Sequence, residues 1–403
     1  MIPFSPPRID EKNIEAVAEV LRSGWLTTGP KTKLFEKEIT SYIGCSSTIC
    51  LASATAGLEL MLRWFGLKEG DEVIVPTYTY SSTGNVVLHC GAKIVFAEAG
   101  PDFNVSPESI RSLITERTKA IMSVDLGGFP VDYDEIKSII NDPEIRFLFR
   151  PETENQEKLG RIFYLADSAH AFGARYKDEM VGCQADAHCF SFHAVKNLST
   201  AEGGAVCMNL PEPFSNDDLY RSLNISSLHG QTKDALAKMQ KGNWRYDIVE
   251  PGYKCNMTDI QAALGLVELA RYEDETLKRR REIMEMYHDL LKVNTWAELP
   301  SIESEIKTSS FHLYMLRIKG ISEEQRDQII QGIFDRDVSV NVHFQPLPLF
   351  TAYKERGYDM KSTPEALDLY KREISLPIFY DLSDEQIQTV CQAVVASVES
   401  VLN

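Results

Sequence analysis

The sequence has no run of apolar residues approaching the roughly 20 that a bilayer crossing needs, and none of its eight cysteines stands in a CxxC pair. Its opening, MIPFSPPRIDEKNIEAVAEVL, lacks the basic stretch followed by an apolar core that marks a secretory leader. A cytoplasmic protein without a membrane partner is the expectation. Cys45, Cys50, Cys90, Cys183, Cys189, Cys207, Cys255 and Cys391 are scattered, several within apolar runs, which argues against a disulfide framework or a zinc site. Positive charge is also scarce: 42 Lys and Arg against 59 Asp and Glu leave a formal net charge of −17. Nonspecific nucleic-acid binding relies on cations that neutralise phosphates, so no nucleic-acid partner is expected. An anionic ligand must then meet a local positive site. No internal repeat or low-complexity tract is present. No GxGxxG follows the first strand pattern, where SATAG stands instead, and this argues against a nicotinamide enzyme.

What is present is enough chain for a large core: 403 residues, 43% of them hydrophobic. From Thr48 to Cys207, short β-rich runs alternate with helical patterns. The runs are TICLA, EVIVP, KIVFAE, KAIMSVDL, RIFYLAD, AHCFSFH and AVCMN, with helical spacing from Ala56 to Trp64 and again through Val87. This alternation predicts an α/β fold with a mostly parallel sheet covered on both faces, whose ligands gather at the carboxyl ends of the strands. The charged tract at about 141–160 interrupts the pattern and predicts a surface excursion. A long charged helical stretch from about Asp259 through Leu291 opens a second, smaller α/β region. There SSFHLYMLRI and SVNVHF predict strands, and EEQRDQIIQGIF and SDEQIQTVCQAVVASVESVL predict helices. The expected division is 1–258, including an N-terminal arm, and 259–403.

Two strand ends carry chemistry. RIFYLAD ends in Asp167, followed by SAHAFGA. A buried strand-end carboxylate is costly unless it meets a cation, although alone it could equally cap the next turn. The next strand, AHCFSFH, runs into AVKNLSTAEGGA, which places Lys196 after a short turn, with Ser191 before it and Glu202-Gly203-Gly204 after. A solvated loop position is the usual fate of a lysine, but an apolar setting favours the neutral, nucleophilic amine. Together the two match what pyridoxal phosphate requires: a lysine for the Schiff base, and a carboxylate that keeps the pyridine nitrogen protonated. The turn in LASATAGLELML, opening a helix near Thr55-Ala56-Gly57, offers backbone amides to a phosphate, and VPTYTYSST could place Tyr78 or Tyr80 over a ring.

At this point the chain resembles the DegT-type sugar aminotransferases, a branch of the fold type I pyridoxal-phosphate enzymes, over essentially its whole length. The matching stretches are SGWLTTGPKTKLFEKEI, SATAGLEL, EVIVPTYTYSST, LADSAHAFGA, SFHAVKNLSTAEGGA, PGYKCNMTDIQAALGL and ISLPIFYDLSDEQI. The resemblance implies an aspartate-aminotransferase-like fold, with a large seven-stranded-type sheet flanked by helices and a smaller C-terminal α/β domain. It implies pyridoxal 5'-phosphate as cofactor, with Lys196 as the Schiff-base lysine and Asp167 as the pyridinium partner. His170 falls where the family has a residue near the ring hydroxyl. Ser191 and the turn Ala54-Thr55 match phosphate ligands, and Tyr80 matches the stacked aromatic. Lys254 and Asn256 resemble a segment that reaches into the partner subunit's site, one or the other touching phosphate, so a homodimer with shared sites is implied. The implied substrates are a nucleotide-linked, deoxy-type keto sugar and an amino donor, glutamate. Trp25, Thr28 and the stretch containing His343 resemble substrate-facing parts, and His229 has similar standing. His343 could equally be a satisfied histidine at a strand end. Lys241 and Arg245 could meet a diphosphate or form a solvated charge cluster. Relatives that are dehydratases carry histidine in place of the lysine, so Lys196 favours transamination. Pro348 stands where the family often has a second histidine, which loosens any inference about the sugar. An aminotransferase or dehydratase for another cyclic ketone and a catalytically dead regulatory relative are the competing readings.

Overall fold

The computed structural model describes residues 1–233 and 244–402, so Lys241 lies outside the described residues. The alternating region folds as the strand patterns predict. Its strands are β1 (Ser47–Leu51), β2 (Glu72–Pro76), β3 (Lys93–Ala97), β4 (Thr118–Val124), β5 (Phe163–Asp167), β8 (Ala187–Ser191) and β9 (Gly204–Met208). They form one seven-stranded sheet in the order β1-β9-β8-β5-β4-β2-β3. Pairing is parallel from β3 through β2, β4 and β5 to β8, while β9 runs antiparallel to both of its neighbours. Every residue of β2, β4, β5 and β9 is buried, because helices cover both faces. The topology brings the carboxyl ends of β1, β2, β4, β5 and β8 to one edge, where the start of β9 also lies.

At that edge the chain turns from β1 into the helix Ala54–Phe65, whose N-cap, Ser53, accepts the N–H of Ala56 at 3.1 Å. Two glycines allow this close fit. A side chain on Gly204 would place its Cβ 2.3 Å from Ala54 N, and one on Gly57 would meet Val206 at 2.6 Å.

The 141–160 tract lies mostly at the surface as the short helices Pro143–Leu148 and Glu154–Leu159, anchored by buried Ile145, Phe149, Gln156 and Leu159. Two expectations need correction. SVNVHF forms no extended strand. Val340 is buried, Val342 and Phe344 only partly, and each side offers only one pairing residue, Ile2 with the preceding Val338 and Ser375 with Asn341. The long charged helix is also broken, into Asp259–Ala270 and Lys278–Leu291, by a wider turn over Tyr272–Leu277.

The second region holds β10 (Ala297–Glu298), β12 (Tyr314–Ile318) and β13 (Glu373–Leu376) in an antiparallel sheet ordered β10-β12-β13. The helices Glu323–Phe334, Pro364–Arg372 and Asp384–Leu402 accompany it. A small ladder of β6 (Arg175–Tyr176), β7 (Glu179–Met180) and β11 (Lys307–Thr308) ties the regions together. Within the second region Arg280, buried on Lys278–Leu291, donates to the carbonyls of Phe311, His312 and Ile378 at 2.8, 2.6 and 3.2 Å. The first residues of the chain join the second region: Ile2 N donates to Asp337 O at 2.7 Å, and Ile378 N to Phe4 O at 3.3 Å. Among the described residues no helix is long and apolar enough to cross a membrane.

Candidate active site

The shared strand edge and the second region enclose a cavity of about 440 Å³. Ala54, Thr55, Tyr80, Asp167, His170 and Ser191 line it from the large sheet, and Lys196 enters from the loop after β8. His343 lines it from the second region. These eight sequence-predicted residues are therefore brought together.

Asp167, at the end of β5, is 3% exposed. Its Oδ2 accepts from Thr83 Oγ1 at 2.8 Å and its Oδ1 from Ala169 N at 3.3 Å. Burial pushes this carboxyl above its usual range, against the pull of Thr83, the Ala169 N–H and Lys196. Among the described residues it makes no ion pair, so it is a buried acid suited to a cationic partner in the cavity.

Lys196 sits on a loop closed by Phe192 N donating to Gly203 O at 2.9 Å and Thr200 N to Phe192 O at 2.8 Å. It keeps some surface open to the cavity, yet protein surrounds it closely enough that burial brings its ammonium down to about 8, with Asp167 opposing the shift. Near neutral pH a reactive fraction of neutral amine is therefore present. The sign for stability follows. The unfolded lysine, near 10.5, binds its proton more readily than the folded one. The penalty is complete below pH 8 and is relieved as pH rises from 8 towards 10.5. Lys196→Met should therefore stabilise the cofactor-free protein at pH 7 by about 3 kcal/mol. Thermal melts across pH should show that gain shrinking above 8, and a gain that grows there would contradict the assignment.

His170 accepts the N–H of Gly127 at Nδ1, 3.2 Å away, leaving Nε2 as the protonated nitrogen of a neutral ring. Burial, then Lys196 and His343, hold its pKa well below normal. Of the two tyrosines, Tyr78 is fully buried, whereas Tyr80 is 60% exposed and lines the cavity.

Trp25, Thr28, His229, Lys254 and Asn256 do not line this cavity but gather on one outer patch. Asn256 Nδ2 donates to Thr28 Oγ1 at 2.7 Å, and the Lys254 ammonium bonds to Asn256 Oδ1. Trp25 Nε1 donates to Thr28 O at 3.2 Å, and His229 N to Tyr253 O, beside Lys254, at 2.6 Å. Arg245 stacks its guanidinium on Trp244, 5.1 Å from the ring centre.

Several lining or supporting residues went unread in the sequence. Thr83 has no local signature. His312 lines the cavity with Nδ1 2.9 Å from Asn197 Oδ1, and Asn197 Nδ2 donates to Ser310 O at 2.7 Å, which fastens the lysine loop to the second region. Phe4 and Phe344 complete the wall. The Asn197 that follows the lysine was the one available signal for this link.

The pieces fit pyridoxal phosphate on their own chemistry: a desolvated amine, a buried unpaired acid, and a helix N-terminus whose amides face a turn too tight for any Cβ at position 204.

The profile of the DegT/DnrJ/EryC1/StrS aminotransferase family matches residues 7–149 and 155–395. Spr1654 of Streptococcus pneumoniae, described as a sugar aminotransferase and solved in its PMP form, is 44% identical, with each chain covering 100% of the other and a TM-score of 0.95. Its PLP form superposes with a TM-score of 0.94 at 42% identity, again over 100% of both chains. The spore coat polysaccharide biosynthesis protein SpsC of Bacillus subtilis is 35% identical over 401 residues, 98% of this chain and 96% of its own length. PseC of Helicobacter pylori, an aminotransferase involved in the biosynthesis of pseudoaminic acid, is 28% identical, with 99% of each chain covered and a TM-score of 0.86.

Proposed function

The chain belongs to the DegT/DnrJ/EryC1/StrS family of pyridoxal-phosphate-dependent sugar aminotransferases, and on that premise we propose that it moves an amino group from glutamate to the keto group of a nucleotide-linked, deoxy-type sugar. The observation that carries this reading is the meeting of Lys196, Asp167 and the Ala54-Thr55 helix start in one cavity. Lys196 would hold the cofactor through its amine, Asp167 would face the pyridine nitrogen, and Ala54, Thr55 and Ser191 would receive the phosphate. His170 would donate from Nε2 towards the ring oxygen, and Tyr80 would cover the ring. Bound there, pyridoxal phosphate supplies a carbon that carries the amino group and a ring that accepts electron density.

Lys196 Nζ does the proton work. With pyridoxal phosphate bound, its amine would take a proton from the donor's α-carbon and would deliver one to the sugar carbon. A pKa near 8 suits both directions at neutral pH. Asp167 would keep the ring nitrogen of the bound cofactor protonated, which would let the ring take up negative charge from the reacting carbon. Lys254 and Asn256, together with Trp25, Thr28 and His229, stand on one outer patch away from the cavity of their own chain. That placement supports a homodimer in which each patch serves the partner's cavity. A soluble, cytoplasmic setting fits such substrates.

A substrate panel tests the reading. With glutamate as donor, mass spectrometry should find amino products from nucleoside-diphosphate keto-deoxysugars and far less from the free sugars. Turnover only of cyclitol ketones, or dehydration without amination, would contradict it.

A further inference from the structure

The second region contributes to the cavity a histidine whose inner nitrogen is occupied. His343 Nδ1 lies 2.9 Å from Ser375 Oγ, and that hydroxyl lies 2.5 Å from Oε1 of Glu373, a fully buried side chain. The other carboxyl oxygen, Oε2, accepts the backbone N–H of His343 at 2.9 Å. One carboxyl thus fixes the main chain of His343 and, through Ser375, its ring. The strand explains the arrangement. Glu373 and Ser375 are two residues apart on β13 and share a face. Asn341 pairs with Ser375 from the open edge, Ser375 N donating to Asn341 O at 2.8 Å, which brings His343 alongside. With Nδ1 engaged, Nε2 is the nitrogen left for the cavity that His343 lines.

The charged groups around this chain of contacts do not neutralise Glu373. Arg317, its register partner on β12, pairs with Glu298, as does Arg372. Arg326, on the helix packed behind, pairs with Glu323 and Asp327, and reaches only the Glu373 carbonyl, at 3.5 Å. Tyr78 is the remaining titratable neighbour on that side. On the cavity side stand Lys196, His170 and His312. Burial pushes Glu373 up to about 8, while burial and then Lys196 hold His343 down to about 3. A charged imidazole is therefore disfavoured where an acid or base is placed.

We propose that Glu373, Ser375 and His343 form a proton relay through which His343 Nε2 exchanges a proton with a substrate oxygen without the ring becoming charged. The proposal rests on the amination reading, in which the acceptor's carbonyl oxygen leaves as water and needs a proton. In that direction the Nε2 proton goes to the departing oxygen, the Ser375 hydroxyl proton goes to Nδ1, and the Glu373 carboxyl proton goes to Ser375 Oγ. The negative charge ends on Glu373. Taking up a proton runs the same three transfers in reverse. His343 is the catalytic residue of this set, and Ser375 and Glu373 are positioning residues.

A role confined to pinning the 341–344 segment predicts a ring with one fixed tautomer. The relay predicts exchange. Nitrogen NMR of histidine-labelled, pyridoxal-phosphate-loaded protein, with the signal assigned by its loss in His343→Gln, should show the Nε2–H tautomer below pH about 8 and the Nδ1–H tautomer above it. Imidazolium should not form in between. Glu373→Gln, neutral and of the same shape, should lock the Nε2–H tautomer at every pH. It should also lower kcat about a hundredfold, with KM for the keto sugar unchanged. Ser375→Ala should abolish the exchange as a second, independent break. A single tautomer across the range in the wild-type protein, or wild-type kcat in a folded Glu373→Gln enzyme, would overturn the relay. The exchange is read without substrate, so its failure is separate from failure of glutamate to convert the cofactor, which would overturn the amination reading instead.

Discussion

Replacing Lys196 with alanine is expected to lower turnover by about 10³-fold or more while leaving the fold intact. The size of the effect follows from the two tasks assigned to one amine, holding the cofactor and carrying the proton, with no second lysine of the same chain lining the cavity among the described residues. The retained fold follows from energetics. A lysine whose charge is disfavoured by burial costs stability rather than contributing it. Its removal leaves Asp167 with both of its hydrogen bonds, from Thr83 Oγ1 and Ala169 N. Circular dichroism should match the wild type and the melting temperature of the cofactor-free protein should not fall, while the assay with glutamate and keto sugar falls to background. Substantial residual turnover in a folded Lys196→Ala protein would contradict the assignment.

Asp167→Asn is expected to have the second-largest effect, a loss of about a hundredfold or more in turnover. The amide keeps the size of the carboxylate and can still accept from Thr83 Oγ1, so packing at the end of β5 should survive. What it lacks is the negative charge that holds a proton on the facing ring nitrogen. Because the wild-type carboxyl is buried with no ion pair among the described residues, that charge has no structural substitute. The variant should bind pyridoxal phosphate and react slowly with glutamate. Wild-type rates would remove Asp167 from the mechanism.

The seven strands were legible because nearly all of their residues are buried within a layered sheet, so that they read as nearly unbroken apolar runs. Asp167 and Lys196 were legible for a related reason: charged residues directly after such runs stand out. SVNVHF misled because its apolar alternation is real, at Val340, Val342 and Phe344, while its neighbours in the fold, Ile2 and Ser375, lie far away in sequence. Supporting contacts were invisible on the same ground. Thr83 meets Asp167 across 84 residues and His312 meets Asn197 across 115, and no local pattern encodes either meeting. Behind the site a second buried acid, Asp125, is pushed up to about 6 by burial despite bonds from Tyr133 and Ser168. In sequence it looked like the end of an ordinary strand.

The measurement that tests the central claim most directly is the absorbance spectrum of the purified, pyridoxal-phosphate-loaded protein before and after addition of glutamate. The account predicts a band near the visible edge that moves to shorter wavelength with glutamate in the wild type and is missing its lysine-linked starting form in Lys196→Ala. A wild-type protein that shows no such band even with added pyridoxal phosphate would contradict it, since Lys196 and Asp167 would then not form the site described.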